Sequence, residues 1–301
     1  MESRRWFAEW AREEDFGLVQ RGLLMLCRTE EGLAEEVEVA HMAETLGIEA
    51  RVLDSREVAA ADPGVTMDVA GAVHFLQDCH LDPARFLDGL RRRVVAAGGR
   101  ITSGVTVTLL ERSGGRVTAV SGNGQRFSGS AFVIAAGSWS AELLRPLGLR
   151  LPLQAGKGYS LTLPNPPQLP QLCSIFAEAK VAITPLGDRL RVAGTMEVGG
   201  LNLAVNPRRV NGIVKSVPQY FPKFRREDFA DVEPWAGLRP VAPDGLPYLG
   251  KVPGLGNVFA ATGHAMLGLS LAPVSGRLIA ELVTGRPPST DITRLAVGRF
   301  G

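Results

Sequence analysis

The sequence predicts an α/β protein made of two discontinuous domains threaded through each other, and three observations carry that prediction. Up to Arg150, and again after Trp235, apolar strand runs alternate with stretches that carry helix-start chemistry. From Leu151 to about Val232 the texture changes to closely spaced strand candidates and turns, as in an antiparallel sheet with helices beside it. The 301 residues, 45% hydrophobic, suit two moderate domains and a sizeable core. The expected division places 1–70 and 151–232 in one domain and 71–150 and 233–301 in the other.

A short charged helix opens the chain, and "GLLMLC" (Gly22–Cys27) reads as a buried strand. Thr29 followed by Glu30 and Glu31 predicts a helix to about Leu46, with an acceptor at the cap and negative charge in the first turn. "IEARVLD" returns as a strand, and "GAVHFL" from Gly71 is another. Asp82-Pro83 starts a helix whose Leu87, Leu90, Val94 and Ala97 share one side, with Arg91–Arg93 mainly on the other. Val105, Val107 and Leu109 alternate with threonines in a strand, and "SGG" and "GNG" then turn a three-stranded meander. "AFVIAAG" (Ala131–Gly137) is expected as a strand buried on both faces, followed by a helix capped by Ser138. In the middle, "KGYSLTL", "KVAITP" and "RLRVAGT" are strands, and Asn206-Pro207 opens a helix. Gly263–Gly268 leads into a final helix with Leu269, Ala272, Gly276, Ile279, Ala280 and Val283 on one side.

Composition excludes several roles. Lys+Arg 33 against Asp+Glu 31 is too even for a phosphate-tracking surface, so nucleic acid is not an expected partner. Cys27, Cys79 and Cys173 are scattered and odd in number, which suits a reducing, cytoplasmic setting. The charged first residues give no secretory apolar region. The longest apolar stretch, Ala261–Gly285, is interrupted by Gly263, His264, Gly268 and Pro273 and reads as a poor membrane span. His74, Cys79, His80 and Asp82 cluster in sequence, but no second group completes a ligand set, and no metal is expected. No nucleophile elbow or cysteine–histidine signature is present.

Three features carry candidate chemistry. "VIAAG" ends a strand in small residues that let a flat ligand approach the backbone, although ordinary strand-end packing explains it equally. "TGHAMLG" sets a histidine at a helix start, where unpaired N–H groups and the positive dipole end suit an electron-rich ring edge; His264 reads equally as a structural histidine. In "WAGLRPVAPDGLPYLG", Arg239 has no acid close in sequence, so it either meets a distant carboxylate side chain or awaits a carboxylate ligand. The strand–GxGxxG–helix unit of dinucleotide sites is not found, since "GNGQRF" (Gly122–Phe127) is a hairpin turn.

Taken together, "GLLMLCRTEEGLAEE", "GAVHFLQDCHLDPARFLDGL", "VIAAGSWS", "KGYSLTL", "GLRPVAPDGLPYLG" and "TGHAMLGLSLAPVSGRLIAELVTGRPP" resemble the FAD-dependent D-amino acid dehydrogenases of the D-amino acid oxidase and glycine oxidase superfamily. The likeness spans nearly the whole chain in order. It implies a two-domain flavoprotein in which a Rossmann-like FAD domain is interleaved with an antiparallel-sheet substrate domain. The family's N-terminal βαβ unit is expected to be missing here. The resemblance implies noncovalent FAD against Val105, against Ala135, Ala136 and Gly137, and against Gly263, His264, Ala265, Met266, Leu267, Gly268, Leu269 and Ser270. It makes Arg239 the clamp on the substrate carboxylate, with Tyr159 lining the substrate side and His264 at the ring. Relatives often have glycine where Ala265 stands. The implied reaction is oxidative deamination of a D-amino acid by hydride transfer to flavin, giving a 2-oxo acid and ammonia. Electrons then leave to an acceptor such as a quinone, an arrangement that admits peripheral contact with the inner membrane. The alternative expectation is a truncated or split, inactive fragment that needs a partner to hold FAD.

Overall fold

The computed structural model describes residues 1–301. The chain opens with α1 (Glu2–Trp10), β1 (Leu23–Cys27), α2 (Glu30–Thr45), β2 (Ala50–Asp54), α3 (Ser55–Ala61) and β3 (Gly71–Phe75). Helix α2 begins as its cap predicts, with Thr29 Oγ1 accepting from the Gly32 N–H at 3.0 Å. Helix α3 lies outside the expectation. A capping box starts it: Asp54 accepts from the Glu57 N–H while the Glu57 carboxylate accepts from the Asp54 N–H.

Next comes α4 (Pro83–Ala96), capped by Asp82 as expected. Its inward side differs from the leucine row, because Leu87 and Val94 are 62% and 45% exposed. Phe86 turns inward instead and meets Phe7 and Phe16 at centroid distances of 5.2 Å each. Burying joined rings removes more apolar area from water than the leucines would. On the outer side, Arg93 pairs with Glu13 at 2.9 Å and Arg92 with Glu14.

Strands β4 (Leu109–Ser113), β5 (Arg116–Gly122) and β6 (Gln125–Ser128) form the meander, with Asn123 and Gly124 at φ 50° and 74° in the turn. The strand expected from Val105 gains ladder partners only at Leu109, and before it the Thr108 N–H donates to Ser121 O at 3.0 Å. β7 (Phe132–Ile134) is also shorter than expected, and Val133 is 43% exposed, so it is not covered on both faces. A 3₁₀ turn, Gly137–Trp139, then leads to α5 (Ser140–Leu144). Ser138 makes no cap; its hydroxyl is buried without a partner.

The rest of the chain supplies β8 (Gln154–Leu163), β9 (Cys173–Phe176), β10 (Val181–Leu186), β11 (Arg189–Val198), α6 (Pro207–Tyr220), β12 (Trp235–Val241), β13 (Tyr248–Lys251), β14 (Val258–Thr262) and α7 (Gly268–Val283). Eight strands join in the order β12-β8-β11-β10-β9-β1-β3-β2. Two expected boundaries therefore move, because β3 pairs in full register with β1 and β2, and β12 does so with β8.

One face of this sheet buries Leu24, Leu26, Leu161, Phe176 and Ile183 against Ile213, Val217 and Tyr220 of α6. The side-chain period of two turns the alternate positions to the other face. The small sheet, β13-β14-β7, has its own core. Buried Asn257 ties the meander to it, accepting from the Val117 N–H at 2.9 Å and donating to Val117 O and Ser130 O. Helix α7 turns Leu278 and Ile279 onto Leu249 and Phe259, leaving Ala272, Gly276 and Ala280 of the expected inward row exposed. Those residues are too small to match the apolar area that Leu278 offers. By length and composition the Ala265–Val283 segment is long and apolar enough to cross a membrane; here it packs on α1, β13 and β14.

Candidate active site

Trp235, Gly237 and Arg239 share one face of β12, and opposite them on β8 stand Ser160, Gly158 and Gly156. This is the face away from α6. Three glycines lower the floor there. The Arg239 guanidinium lies over Gly158, the Trp235 indole over Gly237 and the Met196 thioether over Gly156, and in each case an added Cβ would collide with the neighbouring side chain. Arg239 Nη1 donates to Thr195 O at 3.1 Å, and no carboxylate pairs with the guanidinium. Burial alone pushes its pKa below the ordinary arginine value, with no acid to offset the desolvation. A half-buried cation without an anion is costly unless an anionic ligand completes it.

Strand β12 packs against two turns of the other half, Gly137–Trp139 and Ala265–Leu267. Val241 and His264 form an isolated bridge, and Thr262 Oγ1 donates to Gly137 O at 2.9 Å. The strand that carries Arg239, the strand-end turn and the turn before α7 thus meet. Gly137 and Gly263 have φ 53° and 79°, and Ala265 has φ 49°, a left-handed conformation that explains why glycine suits this position. His264 Nε2 lies 2.9 Å from Ser275 Oγ on α7, and burial lowers its pKa, so the ring is neutral at neutral pH.

The remaining predicted residues divide clearly. Val105, Ala135 and Ala136 line one cleft of about 780 Å³ between the extended segment before β4 and the free edge of β7. Leu269 and Ser270 line a cavity of about 570 Å³ where α7 meets Met25 and Ile175 on the open face of the large sheet. Met266 and Leu267 are 70% and 56% exposed. Tyr159 is a correction: it is 1% exposed in the core beneath α6, with its hydroxyl donating to Glu197 at 3.0 Å. As an odd-numbered neighbour of Gly158 it points to the opposite face from Arg239. The sequence reading missed Trp235, the glycines and Thr195. The signal for the first two was present: "KGYS" and "WAGLR" place glycine, tryptophan and arginine at a spacing of two.

The two sheets meet at these turns beside two sizeable clefts, the setting of a small-molecule site. Residues 1–282 match the DAO family, described as FAD dependent oxidoreductase, and the chain belongs to it. It is 38% identical over 287 residues to a D-amino acid dehydrogenase of Methylobacterium radiotolerans, covering 93% of this chain and 68% of that protein. A second D-amino acid dehydrogenase, from Rhizorhabdus wittichii, is 35% identical over 285 residues, with the same two coverages of 93% and 68%. The glycine oxidase structure from Geobacillus kaustophilus superposes with a TM-score of 0.89 at 27% identity, covering 100% of this chain and 82% of that one.

FAD is the family's cofactor, and the residues present fit it. Nothing lies within 4 Å of where a Cβ would stand on Gly137, and the buried hydroxyls of Ser138 and Ser140 beside it have no partners. The 3₁₀ turn Ala265–Leu267 runs directly into the sixteen-residue α7 with no side-chain cap, which sets the positive dipole end at this junction.

Proposed function

We propose that this protein oxidises D-amino acids at the Cα–N bond, with the substrate carboxylate held by Arg239. The observation that carries the reading is the half-buried guanidinium with no acidic partner, on the strand that packs against the turn leading to α7. The two D-amino acid dehydrogenase relatives support the substrate class. FAD, when bound, supplies the two-electron acceptor. The chain's own residues do the positioning. Arg239 offers a planar fork to a carboxylate, and Gly158 leaves room for its guanidinium to lie across β8. The positive dipole end where Ala265–Leu267 leads into α7 favours negative charge beside it. His264, neutral and tied to Ser275, fixes the junction and carries no proton in this scheme. The oxidised product, an imine, takes up water to give a 2-oxo acid and ammonia, and electrons pass on to a carrier such as a quinone. Noncovalent attachment of the cofactor accords with the state of the thiols: burial pushes Cys27 and Cys173 up to about 12. The even charge and scattered cysteines support a cytoplasmic location.

A second reading is that FAD is held only when a partner polypeptide covers the β7 edge, and the exposure of Val133 and Trp139, both 43%, favours it. Titration of the purified chain with FAD, then D-alanine, separates the two. Yellow protein that bleaches with D-alanine supports catalysis by this chain, and failure to retain FAD supports the partner. In the active protein Arg239→Ala raises KM roughly 10- to 100-fold through loss of a charge-assisted pair. An unchanged KM removes Arg239 from the site.

A further inference from the structure

Strand β11 follows β8 in regular register to Gly194, opposite Tyr159, and resumes at Glu197, opposite Lys157. Thr195 and Met196 therefore both stand against Gly158, a two-against-one bulge. Thr195 adopts φ 67°. That is an outlier for a β-branched residue, and such strain persists only where the surroundings impose it. Its hydroxyl donates back to Gly194 O at 2.7 Å. A carbonyl in an unbroken strand lies in the sheet plane and serves the ladder. Here the left-handed turn frees the Thr195 carbonyl, and it accepts from Arg239 Nη1 at 3.1 Å. Arg239 belongs to β12, two strands away, and its guanidinium crosses β8 through the space that Gly158 leaves empty.

We infer that the strained Thr195 bulge is a positioning device for Arg239: its carbonyl pins one side of the guanidinium and aims the remaining N–H groups at the substrate carboxylate. The inference rests on the reading of Arg239 as the carboxylate anchor. The device works through backbone geometry, so the threonine side chain is dispensable and the left-handed turn is not. Glycine adopts that turn without strain, whereas proline is confined to φ near −65°.

The test compares Thr195→Gly, Thr195→Pro and Arg239→Ala in the FAD-loaded protein. Thr195→Gly should keep the KM for D-alanine within about twofold, and Thr195→Pro should raise it about tenfold or more, with a smaller change in kcat. A raised KM in Thr195→Gly, or an unchanged one in Thr195→Pro, overturns the inference. If Arg239→Ala raises KM while Thr195→Pro does not, the inference fails and the anchor reading stands; an unchanged KM in Arg239→Ala sinks the anchor reading itself. Should Thr195→Pro not fold, the unaltered protein decides by NMR of the Arg239 side chain, assigned against Arg239→Lys. Distinct, slowly exchanging Nη resonances before ligand addition, shifted by D-lactate, support the pinned guanidinium. Averaged, freely rotating Nη groups before addition overturn it.

Discussion

In the eight-stranded sheet a single core of 21 buried residues closes one face under α6, while the three-stranded sheet has a core of 13 and ends in β7, whose central Val133 is 43% exposed. Strand ends of the large sheet are tied down. Buried Asp62 accepts from the Gln171 and Leu172 N–H groups, and Glu178 accepts from Arg28, Thr29 and Tyr220. At the matching places of the small sheet, Ser138 and Ser140 keep unpaired buried hydroxyls and α7 keeps an uncapped start. The large sheet is thus a scaffold closed on one face that presents an arginine, Arg239, with a backbone carbonyl but no carboxylate as partner. The small sheet concentrates its deficiencies where a flat ligand would satisfy them. Stability and binding are divided between the two halves of the chain.

The sharpest way to break that comparison is to cut each half. Phe176 is fully buried and stacks on Tyr220 at a centroid distance of 4.0 Å, so Phe176→Ala should lower unfolding stability by about 3–5 kcal/mol in urea titration. Val133→Ala on the open β7 edge should cost no more than about 0.5 kcal/mol in the same assay. Equal losses would show that the two halves share their stability evenly. A smaller effect is expected at the junction. Ala265 sits at φ 49° with its side chain in the left-handed region, so Ala265→Gly should raise thermal stability by about 1 kcal/mol. A loss would mean that the left-handed turn forms only when the cofactor imposes it.

Much of this division was legible in the sequence, and the misses have physical causes. Caps that lie within three residues of their partners, Thr29, Asp82 and Asn206, were readable because the chemistry is local. Arg239 was readable as a cation without a nearby acid, and the chain's order of strands carried the family likeness. Tyr159 went to the wrong face because a strand position fixes alternation but not which parity faces the ligand. The inward sides of α4 and α7 were misjudged because counting apolar residues ignores which neighbours offer the larger area; Phe86 and Leu278 win on contact partners far away in sequence. Thr195 carried no local signal at all. Its bulge arises from register across β8 and from the reach of an arginine on β12.

The account depends on a flat redox cofactor lying between the Gly137 turn and the start of α7, with Arg239 across from it. Amide hydrogen exchange with and without added FAD tests this directly. Protection rising at Val133–Ser140 and Thr262–Ser270, with α6 and β9 unchanged, is the predicted result. Protection that leaves both junction segments untouched, or falls only on the large sheet, would contradict it.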